Sequence, residues 1–69
     1  MKNYTIETSK LKLSRISCGL SQTELAKQLG FARNYISNIE RGKTVPRPSN
    51  LAKICSAIGV DIKDIISDV

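Results

Sequence analysis

Apolar side chains recur along this 69-residue chain in five short groups, each with the three-to-four spacing of a helix and each followed by a break. Leu11, Leu13, Ile16 and Leu20 predict a first helix over residues 9–18, with "NYTIET" before it extended or frayed. A second helix, over 22–29, opens at "SQTE". Ser21 as N-cap and Glu24 three positions on form a capping box there, each side chain satisfying a free backbone donor. Leu25, Ala26 and Leu29 give this helix its apolar side, but it is too short to stand alone and must lean on neighbours. The turn "GFA" leads into a third helix over 33–41. A fourth covers 49–58 with the stripe Leu51, Ile54, Cys55 and Ile58, and a fifth covers 61–67, capped by Asp61 and carrying Ile62, Ile65 and Ile66. Gly19, Gly30, Gly42 and Gly59 each close a helical stretch, as residues that tolerate positive φ do. Pro46 and Pro48 bias Val45 and Arg47 toward extended backbone before the fourth helix. No strand pair, repeat or low-complexity tract is visible. The expectation is an all-α fold, a compact five-helix bundle forming one domain over residues 1–69.

The third helix is the unusual one. Turned at roughly 100° per residue, "RNYISNIERGK" gathers Arg33, Asn34, Ser37, Asn38 and Arg41 in one arc and puts Tyr35, Ile36 and Ile39 on the other side. One side can dock on a core; the other presents arginine, asparagine and serine with no carboxylate between them. Those side-chain types read base edges and phosphates in DNA. Taken alone, the helix reads more readily as an ordinary solvated face. Its context changes that reading. Two helices joined by a three-residue turn containing glycine form a helix-turn-helix, whose second helix enters the major groove by its N-terminal residues. Phe31 is placed to plug the turn from below, and Ala32 occupies a cap position where Ser, Thr, Asn or Asp would be worth about 1 kcal/mol more.

Charge points the same way. Eleven Lys and Arg against six Asp and Glu give a net charge of +5, and the excess is concentrated. Residues 33–47 carry Arg33, Arg41, Lys43 and Arg47 against Glu40 alone, whereas residues 59–69 carry Lys63 against Asp61, Asp64 and Asp68. Such a cluster suits a polyanionic partner. Cys18 and Cys55 lack CxxC spacing and the chain has no histidine, so neither a zinc site nor a Cys- or Ser-nucleophile with its usual base is expected. With no glycine-rich phosphate loop either, an enzyme is not expected, nor a cofactor or small-molecule ligand. Cys55, on an apolar stripe, reads as a buried free thiol in a reducing cytosol, a Cys18–Cys55 disulfide being the alternative. The N-terminal "MKNYTIETSK" has no apolar leader region and no apolar run reaches membrane length, which predicts a soluble, cytoplasmic protein, at the nucleoid when on DNA.

The stretch "GLSQTELAKQLGFARNYISNIERGK", residues 19–43, followed by "LAKICSAIGV", resembles the Cro and phage-repressor (XRE-like) helix-turn-helix family. The resemblance runs from about residue 9 to 66. It combines the capping box, the turn glycine, Tyr-Ile-Ser and Ile-Glu-Arg-Gly at fixed spacings. It implies the five-helix lambda-repressor-like DNA-binding domain and a transcriptional regulator, mostly dimeric, that binds short palindromes. Position by position, it assigns base reading to Arg33, Asn34, Ser37 and Asn38. It assigns backbone contact to Arg41, Lys43 and Arg47, and a structural ion pair to Arg15 and Glu40. Gln22 corresponds to a glutamine that touches a phosphate and braces the start of the recognition helix. Ala32 departs from the family's polar cap, and Ser14 stands where many relatives are apolar.

The expected partner is therefore double-stranded DNA with a palindromic operator, bound by a homodimeric repressor, with Ile62, Ile65, Ile66 and Val69 as candidate dimer contacts. The rival class is a protein-binding adaptor or antitoxin that turns the same helical bundle on an acidic protein. As the chain ends just after the fifth helix, a regulatory signal is expected to act through concentration, proteolysis or a partner.

Overall fold

The computed structural model describes residues 4–68. Its elements run β1 (Tyr4–Ile6), α1 (Thr8–Ser17), α2 (Gln22–Leu29), α3 (Arg33–Glu40), α4 (Pro48–Ile58), α5 (Ile62–Ile65) and β2 (Ile66–Asp68). Leu11, Leu25, Ile36, Ile39, Leu51, Ile54 and Ile65 form a core at the meeting point of the five helices, with Ala26, Cys55 and Ile58 completing it. α2 packs against α3 and α4, while α1 lies across α3, α4 and α5. This small aliphatic core is what a chain poor in aromatics can build.

The helix boundaries have local causes. At α2 the capping box is complete: the Ser21 hydroxyl accepts from the Glu24 N–H at 3.0 Å and the Glu24 carboxylate accepts from the Ser21 N–H at 2.9 Å. These bonds, the backbone one first, hold the Glu24 carboxyl below its ordinary pKa. At its other end Gly30 takes φ +75°. The Phe31 N–H then reaches the Ala26 carbonyl at 2.8 Å and the Gly30 N–H reaches Lys27 at 3.3 Å, a Schellman closure. α4 begins at Pro48, one residue earlier than expected. Proline is well placed there, because a first-turn residue has no intrahelical use for an N–H. Asp61 caps α5 through the Lys63 N–H at 3.0 Å.

Three expectations are corrected. First, α5 is a single turn, and the chain then straightens into β2, which pairs antiparallel with β1 in the register Tyr4↔Asp68, Thr5↔Ser67 and Ile6↔Ile66. The fold remains mainly all-α, with a two-stranded ribbon joining the chain's ends. Second, α1 turns a different side inward: Leu11 and Arg15 are buried, whereas Leu13 and Ile16 are 63% and 51% exposed. The cause is Arg15, which occupies a core-facing position because it has a buried partner. Third, Ile65, a candidate dimer contact, is 0% exposed inside its own subunit and is unavailable to another. Ile62 and Ile66 are half-buried against the same core, and Val69 lies outside the described residues.

Cys18 and Cys55 are both free. The Cys18 thiol donates to the Ile58 carbonyl at 3.1 Å, serving one of the unpaired carbonyls at the end of α4. Burial, aided by the nearby Asp61 charge, pushes the Cys55 thiol up. No helix among the described residues is long and apolar enough to cross a membrane, and no metal-binding cluster forms among them.

Candidate nucleic-acid interface

α3 is set by its inner side. Ile36 and Ile39 are buried in the core, and Tyr35 is half-buried beside them. Phe31 meets the Tyr35 ring edge-to-face, centroids 5.1 Å apart at 72°, so the turn is plugged from one side by two rings. The Tyr35 hydroxyl accepts from the Asn50 side chain of α4 at 3.1 Å. Sequence reasoning passed over Asn50, since a polar residue in the first turn of a helix looks no different from a solvated one.

Glu40, at the helix's last position, is the anchor. Arg15 Nε donates to its Oε2 at 2.6 Å and Arg15 Nη2 to its Oε1 at 3.0 Å, a two-pronged pair whose side chains are 8% and 3% exposed. Arg15 Nη1 reaches the Leu20 carbonyl at 2.7 Å, and Gln22 Nε2 donates to Glu40 Oε1 at 3.0 Å. Burial by itself would raise the Glu40 carboxyl. The bonds from Arg15 and Gln22, with the charges of Arg15 and Lys12, outweigh it and hold the group below its ordinary value. The acid of this basic stretch is therefore spent inside the protein. Gln22 also differs from expectation. It braces the end of α3, not its start, because the crossing of the two helices brings the first turn of α2 to the last turn of α3.

What remains outside is basic and amide-rich. Arg33 and Asn34 are exposed at the free start of α3, with Ser37 and Asn38 half-buried one turn along. Arg41, Lys43 and Arg47 are exposed in and beside the loop that follows. Among the described residues, none of these seven side chains forms a hydrogen bond within the protein. Ala32 caps α3 without a side-chain bond, its backbone extended at φ −72°, ψ 145°. The surface thus offers guanidinium, ammonium and amide donors free of intramolecular partners.

Residues 11–65 match the helix-turn-helix family HTH_3. The chain belongs to the helix-turn-helix family. This is a family of DNA-binding transcription regulators, which are not enzymes. Among its relatives is the ImmF control region 10 kDa protein of Bacillus phage phi105, 44% identical over 43 residues that make up 62% of this chain and 48% of that protein. Control protein C.BamHI of Bacillus amyloliquefaciens is 40% identical over 58 residues, 83% of this chain and 72% of its own. The crystal structure of the hypothetical transcription factor NHTF from Neisseria superposes with a TM-score of 0.75 at 38% identity, covering 81% of this chain and 63% of that one. The chain spans about half the length of the phage protein and 47% of the curated Neisseria relative.

Proposed function

We propose that this helix-turn-helix protein is a sequence-specific, double-stranded DNA-binding regulator of transcription, acting as a dimeric repressor on a palindromic operator. One observation carries the reading. The exposed side of α3 keeps its donors free while the only acid of residues 33–47 is neutralised inside the subunit by Arg15 and Gln22. With that carboxylate paired inside, the outward side of α3 and the loop after it present only positive charge, as binding to a polyanion requires.

In the proposed complex α3 lies in the major groove. Arg33 offers the two-pronged geometry that suits guanine O6 and N7, worth about 1–3 kcal/mol of discrimination, while Asn34 and Asn38 suit adenine N6 and N7. Ser37 is short enough to let the helix approach. Arg41, Lys43 and Arg47 meet phosphates, contacts that fix register without carrying sequence. Gln22 has a second amide N–H beside the one given to Glu40, and it can reach a phosphate with it.

One such helix reads too few base pairs to find a single site, so two are needed, in successive grooves about 34 Å apart. Of the described residues, Ile62 and Ile66 are left as the candidate dimer contacts near the chain's end. Repression follows from covering promoter DNA, in keeping with the phage and control-protein relatives.

Selection of bound sequences from a randomised duplex pool tests the reading directly. A two-fold symmetric consensus is expected, competed away by itself and not by random duplex. If each dimer neutralises ~6 phosphates, log K against log salt should fall with a slope near −5. A salt-insensitive complex, or a pool that yields no preferred site, would instead favour the adaptor or antitoxin reading.

A further inference from the structure

The loop after α3 carries Lys43 and Arg47 and is held chiefly at its two ends. It stands over a cleft of about 170 Å³ lined by Thr5, Ile6, Thr8, Ile39, Thr44 and Val45. At the near end its backbone is tied to α3, the Gly42 N–H to the Ile39 carbonyl at 3.1 Å and the Lys43 N–H to Asn38 at 2.9 Å. Val45, in mid-loop, is exposed. At the far end Pro46 is buried, and its carbonyl accepts the hydroxyl of Tyr4, a residue 42 positions away. Arg47, the N-cap of α4, follows immediately.

Tyr4 is itself well fixed. It is half-buried against the core, and its strand is paired to β2 and tied to the end of α5 by the Glu7 N–H on the Ile65 carbonyl. The hydroxyl therefore acts from a paired strand on the Pro46–Arg47 peptide, the last of the four that separate the two candidate phosphate-contacting cations.

We propose that Tyr4 is a positioning residue for DNA binding: through the Pro46 carbonyl it presets the loop so that Lys43 and Arg47 meet the nucleic-acid backbone together. This rests on the DNA-binding reading above. Without the hydroxyl, the carbonyl must find water by moving the loop outward. The two cations must then be ordered at the moment of binding, which weakens their hold on the phosphates.

Tyr4→Phe removes the bond and keeps the ring. Binding to a random-sequence duplex of about 30 base pairs, followed against salt, is expected to weaken about three- to tenfold. The log–log slope should become shallower by ~0.9 for each phosphate that is no longer neutralised. Lys43→Gln should move the slope in the same direction; Tyr4→Phe should add little on top of the double variant Lys43→Gln with Arg47→Gln, since Tyr4 acts only through those two cations. Selected base preferences should not change, because phosphate contacts carry no sequence. In the free protein, amide exchange at Gly42 and Lys43, whose N–H groups are bonded to the Ile39 and Asn38 carbonyls, should quicken in Tyr4→Phe. A variant that melts lower but keeps the wild-type slope and loop exchange would overturn the inference, leaving Tyr4 a merely structural residue. Wild-type protein without salt-dependent duplex binding would overturn the DNA reading and this inference with it.

Discussion

Glu40→Ala is the substitution that most directly probes how α3 is held. It strips Arg15 of two bonds and leaves its guanidinium, 8% exposed, with the Leu20 carbonyl alone. It also frees the Gln22 amide. An exposed salt bridge is worth ~0–1 kcal/mol, because water solvates both ions almost as well apart. Removing one partner of a buried pair costs ~3–5 kcal/mol, since the other charge is left stranded in a poor solvent. The surviving bond to Leu20 softens the loss, so about 3 kcal/mol is expected, the low end of that range. A chain of this size has roughly 3–10 kcal/mol of stability in total, so the variant should be barely folded at 37 °C or thereabouts. Urea unfolding followed by far-ultraviolet circular dichroism gives the number, with an unchanged m-value required for the comparison. The melting temperature should drop by ~12 °C or more. Replacing both ions, Arg15→Met with Glu40→Leu, should recover most of the loss, because no charge is then left unpaired. A loss under ~1 kcal/mol for Glu40→Ala would refute the reasoning, for the pair would then behave as a surface bridge.

Other outcomes follow from the same geometry. Ala32→Ser supplies the missing cap of α3 and should raise stability by ~0.5–1 kcal/mol in thermal melts. Leu13→Lys, on the outer side of α1, should change stability by less than ~0.5 kcal/mol, whereas Leu11→Ala should cost ~2–5 kcal/mol; equal effects would contradict the orientation of α1. Glu40 is held below its ordinary 4.5, so the stability it brings is complete above that pH and drains as the pH falls through its lowered value; acid titration of Glu40→Gln should show a flatter decline than wild type. Cys55 is raised above its ordinary 9.0, so its contribution is complete below that pH and is lost as the pH climbs; Cys55→Ala should flatten the alkaline limb. Arg33→Ala should weaken binding to a selected site by ~1–3 kcal/mol and relax one base position, leaving random-duplex binding nearly as before.

Much of this protein is written in short-range order. The capping box at Ser21, the turn at Gly30, the stripe on α4 and the two-sided character of α3 depend on residues within four or five positions of one another, and each could be read from the chain alone. So could the charge cluster of residues 33–47 that marks the candidate surface. Three other features depend on residues far apart. The ribbon joins strands of three residues each from opposite ends of the chain, too short for any period to register. The inward side of α1 is decided by Arg15, and a hydrophobic pattern counts an arginine as outside; in fact its partner Glu40, 25 positions on, brings it in, and Leu13 and Ile16 are turned out as a consequence. Gln22 and Tyr4 likewise acquire their roles only from the groups that folding sets beside them. Local propensity chose the helices and their ends. The pairing of charges and carbonyls across the bundle chose which way each helix faces, because an ion or a peptide oxygen removed from water must find its partner wherever the chain brings one.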